Sequence, residues 1–104
     1  MKNTIKSHQN FDFGNCKPCI MPALLMKFRE KKFETGQYGL IASKRTFKLA
    51  VDRNRAKRLL RDWIQQNKLP KDFDILFIAR SQILETAQKE GIVQMKKALR
   101  KIPA

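Results

Sequence analysis

Ser43-Lys44-Arg45-Thr46-Phe47-Lys48-Leu49-Ala50-Val51-Asp52-Arg53-Asn54-Arg55-Ala56-Lys57-Arg58-Leu59-Leu60-Arg61 is the stretch whose reading decides the fold. Its second half has helical periodicity. At about 100° per residue, Ala56, Leu59, Leu60, Trp63 and Ile64 share one face, while Asn54, Arg58, Arg61 and Gln65 fall on the opposite one. Arg55 and Lys57 flank the polar face on its two sides. Arg53 lies nearer the apolar edge and is expected to contact the sheet margin or the chain just before the helix. One helix thus offers an apolar stripe to a core and a cationic stripe to the outside. Asp52 is the only acid between Ser43 and Arg61, so acids at i±4 that would pair these charges are largely missing.

Working outward, Phe47 to Asn67 is expected to be helical, closed by Leu69-Pro70 because proline cannot continue a helix. Before it, Tyr38 to Ser43 reads as a strand, and Pro22 to Phe28 reads as another, with helix a competitor for the second. Glu34-Thr35-Gly36-Gln37 reads as a turn, so these two strands are expected to form a hairpin. After the helix, Asp74-Ile75-Leu76-Phe77-Ile78-Ala79 is an apolar run between breakers, as in a buried strand. Ile83 to Ile102 is expected to be helical, with Gly91 a weak point and Ile92, Met95, Leu99 and Ile102 along one side. Ile5 to Phe13 is expected to make a short helix ended by Gly14. The order is helix, strands, helix, strand, helix: an α+β chain whose small mixed sheet is covered by helices.

The 104 residues suit a single domain, residues 1 to 104, with one modest core. Lys and Arg number 23 against 9 Asp and Glu, a net charge of +14 that repels itself unless a polyanion neutralises it. Nucleic acid is the commonest such partner, and an anionic membrane is the rival. No apolar run approaches a membrane span, and Met1 to Lys6 lacks the apolar segment of a secretory signal, so a soluble cytoplasmic protein with no membrane partner is expected.

The helical stretch with its flanks resembles a known family. Ser43-Lys44-Arg45, Ala50-Val51 and Arg53-Asn54-Arg55-Ala56-Lys57-Arg58-Leu59-Leu60-Arg61 look like the signature of the bacterial ribonuclease P protein. Gly39 to Ala42 and Asp74 to Arg80 stand where that family places strands. The resemblance implies an αβββαβα order with a left-handed crossover. It implies that the helix bearing Arg53, Asn54, Arg55, Lys57, Arg58 and Arg61 meets the catalytic RNA subunit; Lys44, Arg45 and Lys48 of the same basic stretch are read as RNA-binding with it. It also implies a cleft between the sheet and the first helix for the 5′ leader of precursor tRNA, with Phe11 and Ser43 as leader-binding residues. Asn15 stands where a second cleft aromatic usually follows, and the segment from Gly14 to Pro22 is short, so a curtailed first strand is expected. Mg²⁺, bound mainly by the RNA subunit and substrate, is the implied cofactor, and no protein catalytic residue is implied.

Other constellations carry weaker chemistry. Cys16-Lys17-Pro18-Cys19 is a C-x-x-C pair, read as structural or incidental thiols rather than a redox or zinc site. His8 reads as a surface residue. Asp72 and Asp74 flank Phe73 and read as turn and strand-edge residues, with Mg²⁺ binding as the alternative. Trp63 reads as core. Tyr38 and Phe28 read equally as packing residues or as platforms for stacked bases. Three rival functions stay open: another RNA-binding module such as a ribosomal or chaperone protein, a metal-dependent nuclease using Asp72 and Asp74, and a peripheral membrane binder with Leu59 and Trp63 exposed.

Overall fold

The structure, a computed structural model, describes residues 18 to 31 and 34 to 102. The expected helix from Ile5 to Phe13, with His8 and Phe11, lies outside the described residues, as does Cys16.

Four strands form one mixed sheet: β1 (Cys19–Ile20), β2 (Leu24–Glu30), β3 (Tyr38–Ile41) and β4 (Phe73–Ala79), in the spatial order β1-β2-β4-β3. β1 and β4 each run antiparallel to β2, and β3 runs parallel to β4. β1 has only two residues, the curtailed first strand expected from the short segment between Gly14 and Pro22. Helix α1 (Ala50–Gln65) makes the crossover from β3 to β4, and a short 3₁₀ helix (Ser81–Glu85) leads into α2 (Gln88–Leu99).

The hairpin expected from β2 and β3 does not form: β4 lies between them. The segment from Glu34 to Gln37 does turn, but it docks on the entry to β4 instead. Gly36 N–H donates to Lys71 C=O (2.8 Å), and Ile75 N–H donates to Gln37 C=O (2.8 Å). Asp74 accepts Gln37 N–H through Oδ1 (2.9 Å). The physical reason lies in β4 itself. Asp74 to Phe77 are all buried, so this strand is covered on both faces and belongs at the centre of the sheet.

Alternation along the strands sorts the sheet into two faces. Leu24, Met26 and Phe28 on β2 stand opposite Ala79, Phe77 and Ile75 on β4, and Tyr38 and Leu40 continue that face on β3. The helices cover it. Ala56, Leu60, Trp63 and Ile64 of α1 and Met95 and Ala98 of α2 complete a single core. Trp63 is wholly buried, and α2 packs so closely beside it that a Cβ on Gly91 would run into the indole ring. Gly91 is therefore a packing requirement of the helix pair rather than a weak point. Gln94 ties α2 to the start of β2: its Oε1 accepts Ala23 N–H (2.9 Å), and its Nε2 donates to Glu90 (3.3 Å).

Two boundaries differ from expectation. The long C-terminal helix is broken at Thr86 and Ala87, where Thr86 N–H donates to Ile83 C=O (3.2 Å) and its hydroxyl donates to Gln82 C=O (2.8 Å). Helix α1 starts at Ala50 rather than Phe47, because Phe47 is drawn into the core and Leu49 is extended.

Candidate nucleic-acid interface

The segment from Ser43 to Leu49 is shaped by its own hydrogen bonds. Ser43 Oγ accepts Thr46 N–H (3.2 Å) and donates to Thr46 Oγ1 (3.1 Å), while Phe47 N–H donates to Ser43 C=O (2.9 Å). This tight turn exposes Lys44 and Arg45 and drives the Phe47 ring inward. Serine is suited to the position because its short hydroxyl reaches a backbone N–H a few residues on.

Arg53 completes the arrangement. Its Nη1 donates to Phe47 C=O (3.0 Å) and Lys48 C=O (3.3 Å), which fastens the loop to the first turn of α1. Of the two contacts expected for Arg53, the sheet margin or the chain just before the helix, the structure shows the second. Arg53 is half-buried, and part of its guanidinium is committed to the fold. The helix begins at Leu49 without a side-chain cap, and Asp52 in the first turn sits where a negative charge suits the helix dipole.

Beyond Arg53 the basic residues turn outward. Asn54, Arg55, Arg58 and Arg61 are exposed, as are Lys44, Arg45 and Lys48 on the loop, and Lys57 is half-buried at the flank. Ala56, Leu60, Trp63 and Ile64 on the other side of the helix are buried, so the two stripes fall as the periodicity predicts. Among the described residues, the ion pairs are Arg29 with Asp74 (3.1 Å) and Lys31 with Asp72 (3.2 Å). Among these described residues, no carboxylate pairs with a cation between Lys44 and Arg61. Such a face presents planar guanidinium forks that match two phosphate oxygens at once, together with point charges on flexible stems.

Two neighbours escaped the sequence reading. Leu49 is 65% exposed and Val51 is 73% exposed, although both are large and apolar. Val51 lies three, four and seven residues before Asn54, Arg55 and Arg58, so it stands within the basic face. The signal was present in the spacing, because seven residues make about two helical turns.

The remaining sequence candidates resolve as follows. Asp74 is wholly buried and held by Arg29 and the Gln37 N–H, while Asp72 is exposed beside Lys31. Asp72 is thus a residue of the turn before β4, as expected, whereas Asp74 lies within the central strand and is buried there rather than at an edge. No group of three His, Cys, Asp or Glu among the described residues could hold a metal. Cys19 is a half-buried free thiol on β1. Tyr38 is buried in the core, and Phe28 packs edge-on against Phe73 with centroids 5.8 Å apart. Leu59 is half-buried and Trp63 buried, so neither supplies the exposed apolar face that the membrane reading placed on them. No helix among the described residues is long and apolar enough to cross a membrane. Ser43 sits at the mouth of the basic loop with its hydroxyl engaged in the turn, and Phe11 lies outside the described residues.

Residues 2–103 match the family described as Ribonuclease P. The Ribonuclease P protein component of Fusobacterium nucleatum is 31% identical over 111 residues, covering 96% of this chain and 93% of that protein. The component of the same name from a Marinomonas strain is 45% identical over 62 residues, 59% of this chain, and the match spans about half of that relative's length, 47%. Among solved structures, the ribonuclease P protein from Thermotoga maritima superposes with a TM-score of 0.78 over 100% of this chain and 99% of that one, at 20% identity, and so shares the fold. A basic helix carried on this sheet, matched nearly end to end in sequence, leads to one conclusion: the chain belongs to the ribonuclease P protein family.

Proposed function

We propose that this chain is the protein subunit of a bacterial ribonuclease P, acting in the cytoplasm on precursor tRNA with a catalytic RNA as its partner. The observation that carries this reading is the outward face of α1 with its preceding loop: Lys44, Arg45, Lys48, Arg55, Arg58 and Arg61 are exposed and have no carboxylate partner among the described residues. A polyanion that meets this face neutralises the repulsion among its charges and releases bound counterions, so affinity is high at low salt and falls steeply as salt rises. Asn54 on the same face can both donate and accept, which suits a ribose hydroxyl or a base edge. Arg53 contributes mainly by holding the loop, so that Lys44, Arg45 and Lys48 meet the RNA in one arrangement.

Chemistry at the scissile phosphodiester belongs to the RNA subunit in this proposal. When bound there, Mg²⁺ supplies charge stabilisation for the hydrolysis. The protein's carboxylates at Asp72 and Asp74 are already engaged by Lys31 and Arg29, which argues against a metal-dependent nuclease centred on them. Phe11 and Ser43 are the residues proposed for the single-stranded 5′ leader.

The test is reconstitution. The purified chain, a bacterial ribonuclease P RNA and precursor tRNA are combined at physiological salt and low Mg²⁺, with substrates that carry or lack a leader. The expected outcome is protein-dependent release of the leader, and tighter substrate binding only when the leader is present. RNA binding without stimulated leader removal would point to a different RNA-binding module. Cleavage by the protein and Mg²⁺ without added RNA would point to a nuclease.

A further inference from the structure

Helix α2 has a second basic face, separate from the stripe on α1. Gly91, Gln94, Met95 and Ala98 are buried against the core, which fixes the rotation of the helix. Lys89, Val93, Lys96 and Arg100 follow one another at helical spacing on the opposite side, with Lys97 beside them, and all five are exposed. None of these cations pairs with a carboxylate among the described residues, and Glu90, the only acid within α2, accepts from Gln94. Cations in a helix's last turn are favoured by its dipole, which accounts for Lys96 and Lys97 without any partner. That explanation fails for Lys89, which sits in the first turn, where the dipole opposes a positive charge. It also leaves open why no acid within α2 stands at i±4 to the stripe, although such pairs would stabilise an isolated surface helix; Glu85, four residues before Lys89, lies on the 3₁₀ helix beyond the break at Thr86 and Ala87.

We infer that the outward stripe of α2, Lys89, Lys96, Lys97 and Arg100, is a second contact surface for the phosphate backbone of the catalytic RNA. The inference rests on the reading of the chain as an RNA-binding subunit. Charge complementarity selects a polyanion. The position of α2 selects which one: it packs directly beside α1, with Gly91 against Trp63, on the same side of the sheet. An RNA lying along the outer face of α1 is therefore the polyanion nearest to α2. Val93, 43% exposed in the middle of the stripe, leaves room for a close approach of the backbone. Two basic helices side by side would hold the RNA at two places and fix the orientation of the subunit on it, which a single stripe does less well.

Lysine acylation of the wild-type chain, free and in complex with a bacterial ribonuclease P RNA, tests this without any substitution. Lys89, Lys96 and Lys97 are expected to become strongly protected when the RNA binds, while the exposed Lys68 and Lys71 near the end of α1 keep their reactivity. In parallel, the combined variant Lys89→Gln/Lys96→Gln/Lys97→Gln/Arg100→Gln is expected to reduce the slope of log affinity against log salt by about 2 to 3. Unchanged reactivity of the three lysines in the complex, or an unchanged slope in the variant, overturns the inference. Protection that appears only after precursor tRNA is added also overturns it, by assigning the stripe to the substrate. A wild-type chain that fails to bind the RNA at all would instead refute the underlying functional reading.

Discussion

Arginine is used in opposite ways at the entry to β4 and on the outer face of α1. At the strand, Arg29 is almost enclosed, and its Nε donates to Asp74 (3.1 Å), itself wholly buried and bound to the Gln37 N–H. On the helix, Arg55, Arg58 and Arg61 stand in solvent with no carboxylate partner among the described residues. The first arrangement stabilises the fold because each group would be costly to bury alone. The second makes no ion pair with the fold among the described residues and keeps its charge available to a partner. Arg53 lies between the two, half-buried and clamped to two carbonyls, yet part of the basic segment.

Substitutions should separate these uses, and the largest effect on stability belongs to the strand. Asp74→Ala removes the buried carboxylate that accepts from Arg29 Nε and the Gln37 N–H, and should lower stability by about 3 kcal/mol. Urea denaturation followed by Trp63 fluorescence would measure it. Asp74→Asn should lose less, because its side-chain carbonyl still accepts from Gln37. A loss below about 1 kcal/mol for Asp74→Ala would mean that the pair is not holding the turn.

Gly91→Ala comes next. Alanine gains about 1 kcal/mol over glycine from helix propensity. The added methyl, however, meets the wholly buried Trp63 ring, and overpacking a fixed core costs about 3 kcal/mol at its upper end. The clash wins, so a net loss of about 2 kcal/mol is expected in the same assay. Equal or higher stability would show that the two helices can move apart.

Arg53→Ala should cost about 1 kcal/mol, because its side-chain bonds lie partly in solvent. Its effect on RNA binding should exceed the loss of one charge, since the loop bearing Lys44, Arg45 and Lys48 is no longer fastened to the helix. Arg53→Lys, which keeps the charge and loses the fork, should recover only part of that binding in a filter-binding titration.

The sequence was informative where one physical period dominated. Ala56, Leu60, Trp63 and Ile64 repeat at helical spacing, so the rotation of α1 and the placement of Arg58 and Arg61 could be read directly. The contact of Arg53 with the preceding chain followed from its position at the edge of the stripe. Strand pairing was not legible in the same way, because a turn such as Glu34 to Gln37 reverses the chain without saying which strand it will pair with. The clue was the unbroken apolar run from Ile75 to Ala79, which marks a central strand and so a competitor for the place beside β2. The break at Thr86 and Ala87 had no glycine or proline to announce it. The role of Gly91 depends on Trp63, 28 positions away in the chain, and only packing could reveal it.

The most direct test of the account is the combined variant Arg58→Ala/Arg61→Ala, with folding and RNA binding measured on the same preparation. Both side chains are exposed, so stability should stay within about 0.5 kcal/mol of the wild type. Affinity for a bacterial ribonuclease P RNA at physiological salt should fall, and the slope of log affinity against log salt should decrease by about 1 to 2. Unchanged affinity and slope in a folded variant would contradict the claim that this helix face meets the RNA.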